Sequence, residues 1–339
     1  NDFYKGISHR IKALNFLQDE KLKEADIEIN QALKELDSAK KGDIHHFLAQ
    51  ELAGMILFQN KEFLKARTRL APALKYFESI SSDLCCSEIC FALGIISWEL
   101  SETKEAFYFF TRGLEKAFQE KYLFFPLISE EALLKALLIM AAFDKIKSFT
   151  SYVQTLISKH APKRVLEVMD KILVLGKKGQ KNRIAGNLRP IYKSLLPVIR
   201  IEVLGQFNIL INDRILDIKA FEGARPLLLL KSIVLHGLRD IPKEILIDDL
   251  WPKAMVKAGE KNFKINLHRL RKAIEPDFKK EFGYAYIIQK AGLITLDPKL
   301  VTLDVDEFIA YGARAAENER NNRFEAALKF YNRAVGIYK

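Results

Sequence analysis

Lys261, His268, Arg269 and Lys272 stand in the stretch KNFKINLHRLRKAIEP (261–276), where Phe263, Leu267, Leu270 and Ile274 recur at helical spacing. At about 100° per residue the apolar four share one stripe and the polar four fall on the opposite side. Lys264 adds a further cation, and Ile265 faces outward at the centre of the cationic side. An isoleucine there suits a thymine methyl, or a contact with another part of its own domain. A helix with cations on its outer face attracts a polyanion and fits the DNA major groove. The pattern YIIQK-AG-LITLD (286–297) follows and reads as a β-hairpin with Gly292 in its turn. A ribbon placed beside such a helix can touch the adjacent backbone or minor groove. The chemistry expected is therefore recognition of double-stranded DNA.

The elements that hold this helix are also legible. From Val198 the periodicity changes to two, and VIRIEVLGQFNILIN and RILDI read as short strands of an antiparallel sheet. Turns are expected at Leu204-Gly205 and Asn212-Asp213. RPLLLLKSIVLHG is a helix with Pro226 in its first turn and Gly237 past its end. PKEILIDDLW is a second helix, begun by Pro242 and stopped by Pro252, with Leu246, Leu250 and Trp251 as core.

Residues 1–160 read as helix after helix with internal repetition. Ala25, Ile29, Ala32 and Leu33 are echoed by Ala66, Leu70, Ala73 and Leu74, and again by Ala106, Phe110, Gly113 and Leu114. Small residues seven apart let a neighbouring helix approach closely, and the large residue between them fills the gap. A degenerate fourth unit lies around Phe149 to Ile157, and Ala327, Tyr331 and Ala334 repeat the pattern near the C-terminus. Residues 159–200 carry eleven cations, among them Lys177 and Lys178, against Glu167 and Asp170. Part of this stretch, KKGQKNRIAGNLRP, reads as an exposed linker whose charge either aids DNA binding or is simply solvated.

The net charge of +11 over 339 residues favours a polyanionic partner, and 49% hydrophobic residues suffice for packed cores. No run of about eighteen apolar residues exists, so no membrane span or membrane partner is expected. Cys85, Cys86 and Cys90 are an odd, local set, which argues for a reducing cytoplasm and for thiols packed between helices, with metal binding the alternative. His45-His46 is adjacent and reads as surface. GKKGQK lacks the spacing of a phosphate loop, and no H-E-x-x-H, G-x-S-x-G or paired C-x-x-C occurs. No enzyme activity, catalytic residue, metal or cofactor is expected.

The small–large–small pattern resembles the second helix of tetratricopeptide (TPR) repeats, with a period longer than the roughly 34 residues usual there. The order of strands, three helices and hairpin resembles the OmpR/PhoB-type winged helix, and FKINLHRLRKAIEP is close to that family's third helix. VLGQFNI, PLLLLKSIVLHG, LIDDLWP and LDVDEF together resemble the bacterial transcriptional activator (SARP-type) branch. The resemblance implies DNA contacts at Asn266, His268, Arg269 and Arg271, and a wing at Gln289 and Lys290. His268 stands where the family has a cation, and QKAG replaces an Arg-Gly type turn. From its place on the flank of the stripe, Arg271 suits a phosphate clamp or an internal ion pair.

The expected fold is mainly α with a small β component. It comprises a TPR-like helical solenoid at 1–175, a basic linker at 176–197, a winged helix at 198–298 and the start of a second TPR-like unit at 299–339. The resemblance further implies an ATPase module upstream in a longer protein. The expected function is a cytoplasmic transcription regulator on promoter DNA. Its repeats would sense a protein or small-molecule signal, and its C-terminal unit would contact RNA polymerase or a second copy in a homodimer. The competing expectation is a TPR-like scaffold whose winged helix binds protein.

Overall fold

Helices with small residues on one face can cross closely, and such crossings organise the first half of this chain. The structure, a computed structural model, describes all residues except 1, 41–42, 176–178, 276–278 and 339, and all their side chains except those of Lys40 and Leu175. Lys177, Lys178 and Pro276, named above, lie outside the described residues. Among the described residues the protein is mainly helical with small sheets. It divides into two units, Asn1–Leu188 and Arg189–Lys339.

In the first unit α1 (Asp2–Gln18) pairs with α2 (Leu22–Lys40), α3 (Ile44–Gln59) with α4 (Phe63–Ser79), and α5 (Asp83–Glu99) with α6 (Thr103–Gln119). A shorter pair, α7 (Glu130–Ala142) and α8 (Thr150–Ile157), follows, and α9 (Pro162–Leu175) packs on α7. Ala25, Ala32, Ala66, Ala73, Ala106 and Gly113 are all buried, as their spacing predicts. The large residues between them are buried too. Leu70 packs so tightly over Gly54 that a Cβ there would lie 2.5 Å from its Cδ2, and the Phe110 ring fills the same place over Gly94.

The odd-numbered helices form one continuous row, α3 touching α1 and α5, and α5 touching α7. This row is buried on more than one side; α5 is buried without a break from Cys86 to Ser97. Its polar residues are therefore buried as well. His46 corrects the surface reading of His45-His46: it is buried, with Nδ1 2.8 Å from Asp37 Oδ1, and His45 is half-buried. Adjacency places one of a pair in solvent only on a helix with an exposed face. Cys86 and Cys90 pack as small apolar groups, and burial pushes their thiols up to about 11 and about 12. Burial also pushes the Glu51 carboxyl up to about 8, with the Glu88 charge adding to it, and raises Glu88 to about 7.

The stretch read as a linker contains a helix, α10 (Lys181–Ser194), in which Ile184, Leu188, Ile191 and Tyr192 are buried. Gly186 and Pro190 masked this apolar spacing. Part of the charge in 159–200 is used locally. Lys171 and Arg164 face Glu131, while in the second unit Lys193 pairs with Asp297 and Arg200 with Glu307.

The second unit has two small sheets. β1 (Ile199–Glu202), β2 (Asn208–Ile211) and β3 (Arg214–Ile215) are antiparallel neighbours, as expected. A fourth strand, β7 (Val301–Leu303), adds to β1 in parallel, which the sequence reading missed because three residues show no periodicity. β4 (Ile241–Pro242), β6 (Leu293–Leu296) and β5 (Ile287–Lys290) form the other sheet. Between β3 and β5 in the chain come α11 (Ala224–Leu235), α12 (Lys243–Leu250) and α13 (Val256–Ile274), which contact one another, with Leu229, Leu230, Ile233, Leu246 and Phe263 buried. Leu250 is buried and Trp251 half-buried. α14 (Asp304–Arg320) and α15 (Phe324–Ile337) form a helical hairpin with Ala327 and Ala334 buried, but Tyr331 is exposed. Asp304 accepts hydrogen bonds from Val203 N and Leu204 N, so β7 and the start of α14 belong with β1 and the expected boundary at 298/299 falls inside one fold.

Gly94→Ala and Ala73→Phe are expected to overpack these crossings and destabilise by about 1–3 kcal/mol in urea unfolding. The raised carboxyls set a pH dependence. The folded chain retains protons that the unfolded chain releases near the ordinary 4.5, so this contribution is full below 4.5 and is lost as pH rises to about 8. Glu51→Gln, neutral throughout, should flatten that fall; an unchanged slope in urea titrations would show that Glu51 is not its source.

Candidate nucleic-acid interface

α13 begins at Val256, five residues before the expected start. Gly259 stands in this added stretch. In the structure it allows a close crossing, since a Cβ there would meet Ile247 Cγ2 of α12 at 2.8 Å. The longer helix brings in Lys257, which the sequence reading left out although it lies four residues before Lys261.

Phe263, Leu267, Leu270, Ala273 and Ile274 are buried in the core. Lys257, Lys261, Lys264, His268 and Lys272 are exposed. Their spacing of four, three, four and four places them in one row along the helix, about 22 Å long at 1.5 Å per residue. Ile265 lies beside the row and is 42% exposed, and Arg269, one turn further along on the same flank, is exposed as well.

Two residues assigned to DNA contact by resemblance are elsewhere. Asn266 is 8% exposed, and its Nδ2 donates to Asn262 O at 2.8 Å. It follows Phe263 by three positions and precedes Leu270 by four, so it sits in the apolar stripe, and that spacing was readable beforehand. Arg271 is half-buried and donates from Nε and Nη2 to Ile287 O at 3.1 and 2.9 Å, with its guanidinium 4.4 Å from the centre of the Tyr284 ring. Burial draws its pKa down. It thus clasps the hairpin to the helix rather than facing outward. One turn later, Glu275 accepts from Ala285 N at 3.0 Å, a second tie just ahead of the same strand.

The hairpin closes through Ala291 and Gly292, with φ of 50° and 82°, as a two-residue turn pairing Lys290 with Leu293. Positive φ at both positions identifies the tight turn whose twist matches the strands. Gln289 and Lys290 are exposed at this tip. A further residue without a sequence signal is Glu222. Its carboxylate accepts from Lys272 Nζ at 2.8 Å and lies 3.9 Å from Arg269 Nε, and the Lys272 hydrogen bond holds it below the usual carboxylate range.

No protein-family model matches the chain, and no curated protein matches it. Among the described residues no group of three or more His, Cys, Asp or Glu is placed to hold a metal, and no helix is long and apolar enough to cross a membrane. What the outer face of α13 offers is a linear array of cations on a rigid element, suited to a polyanion of regular charge spacing.

Arg271→Ala should destabilise the second unit by about 1–3 kcal/mol, because the buried Ile287 carbonyl loses its donors. Lys261→Ala and Lys264→Ala should stay within about 0.5 kcal/mol of the parent. Thermal unfolding of the three variants checks this separation of inner from outer roles.

Proposed function

We propose that this chain is a transcription regulator whose second unit binds double-stranded DNA in a sequence-dependent way. The observation that carries the reading is the row Lys257, Lys261, Lys264, His268 and Lys272 on the outer face of α13, with a tight hairpin clasped beside it. The order of strands, three helices and hairpin supports a winged helix of the OmpR/PhoB type. α13 would lie in the major groove and the β5–β6 hairpin against the neighbouring backbone. Lysines of the row would meet phosphates, and His268 and Arg269 base edges, with Ile265 against a thymine methyl. Lys272 and Arg269 must exchange Glu222 for DNA. Asn266 and Arg271 are left out of the contact set.

The first unit is proposed as a TPR-like solenoid that senses a protein or small-molecule signal, and α14–α15 as the start of a second one that meets RNA polymerase or a second copy. The reading is of a cytoplasmic binding protein without a cofactor. One observation favours the scaffold alternative: Phe324, Leu328, Tyr331 and Val335 make an exposed apolar row on α15, a surface suited to protein.

If about six phosphates are neutralised, log K for promoter DNA should fall with log salt at a slope near about −5. Lys261→Ala and Lys264→Ala should each reduce that slope by about 1. Arg269→Ala should relax sequence preference by about 1–3 kcal/mol, whereas Lys290→Ala should weaken all sequences alike. Gel-shift titrations that find no binding even at low salt would leave the scaffold as the reading to pursue.

A further inference from the structure

The row formed by α1, α3, α5 and α7 is already occupied. Residues 121–129, which join α6 to α7, run back along it without forming helix or strand. Phe125 is buried and meets Phe91 of α5 edge-on, with ring centres 5.7 Å apart. Leu127 packs against the cluster that α1, α2 and α3 build from Ala13, Leu17, Ala49, Leu52 and their neighbours. Ile128 is buried. The adjoining Leu123 and Phe124 point the other way and are exposed. Backbone groups are read as well. Glu88, buried on α5, accepts from Leu127 N at 2.5 Å and from Ile128 N at 3.2 Å. Alternate apolar pockets combined with main-chain hydrogen bonds are how proteins hold extended peptides.

One polar group next to Glu88 is ill served. Glu51 of α3 is fully buried beside Glu88, with Arg10 of α1 and Cys85 of α5 as the other ionisable neighbours. Apart from the weak thiol donor of Cys85, neither of its carboxyl oxygens has a hydrogen-bond partner. A buried acceptor without a donor is costly, and withdrawing the segment would open Glu88, the neighbour of Glu51, to water. The segment is therefore seated by specific contacts on one of two neighbouring carboxyls that are costly to keep dry.

We propose that residues 122–129 are a built-in, displaceable occupant of a peptide groove on the first unit, and that the groove's external partner is an extended apolar peptide. That partner places an aromatic side chain where Phe125 sits and apolar ones where Leu127 and Ile128 sit. It presents two consecutive unblocked amides to Glu88. The inference does not depend on DNA binding.

The test uses the full chain and a labelled peptide of its own residues 120–130. In the parent the tethered copy competes at an effective concentration of order millimolar, so binding is weak. Phe125→Ala with Leu127→Ala loosens the tethered copy without altering the groove and should tighten peptide binding about tenfold or more in fluorescence anisotropy. The same peptide N-methylated at the residues matching Leu127 and Ile128 should lose that binding. Failure of the folded double variant to bind, or equal binding of the methylated peptide, overturns the proposal. Hydrogen exchange of the parent gives a reading that needs no variant. Residues 122–129 should exchange at least about tenfold faster than residues 88–97, through local opening. Equal protection of the two segments would make 122–129 a fixed part of the fold and overturn the proposal as well.

Discussion

In the second unit the outward chemistry depends on one inward contact. Arg271 turns its guanidinium away from solvent, donates twice to Ile287 O and stacks on Tyr284. Glu275 repeats the tie at Ala285. These contacts fix the β5–β6 hairpin to the C-terminal end of α13. With Phe263, Leu267 and Leu270 holding the other face, α13 cannot rotate, and its cations have nowhere to point but out. A row of long flexible lysines is thus set on a backbone with little freedom, which is what placing several charges in register requires.

The legible part of this architecture was the part written in periodicity. Ala66, Leu70 and Ala73 announced their crossing because the pattern recurs with the same chemistry in three helices. Phe263 to Ile274 announced a buried stripe for the same reason. What escaped was chemistry that depends on partners distant in sequence. Arg271 looked like one more cation of the R-L-R-K stretch until Ile287 was placed beneath it. Glu222 has no neighbours in sequence that hint at Lys272. Asn266 was legible from spacing, and the family likeness pulled it to the wrong face. Gly186 and Pro190 stand in the stretch read as a linker, though α10 runs through them, and Gly259 marks a close crossing within α13.

The first unit shows the other side of the same physics. A helical row with one face on its partners has a second face to dispose of, and here the chain covers it with its own residues 121–129. Glu51 and Glu88 are buried in this row, so the interior contains carboxyls that favour their protonated form. The stability of the helical unit is thereby coupled to proton uptake in the neutral range, through groups that have no catalytic neighbours.

The parallel pairing of β7 with β1 has a practical corollary for dissecting this protein. A fragment cut after the hairpin, where the winged helix would be expected to end, would strip the outer neighbour from β1. It would also leave Val203 N and Leu204 N without the Asp304 carboxylate. The bared strand would expose unpaired amides and carbonyls along Ile199 and Ile201, a template onto which other chains can add. Insolubility of such a fragment would report the missing strand and say nothing about the fold of the intact chain.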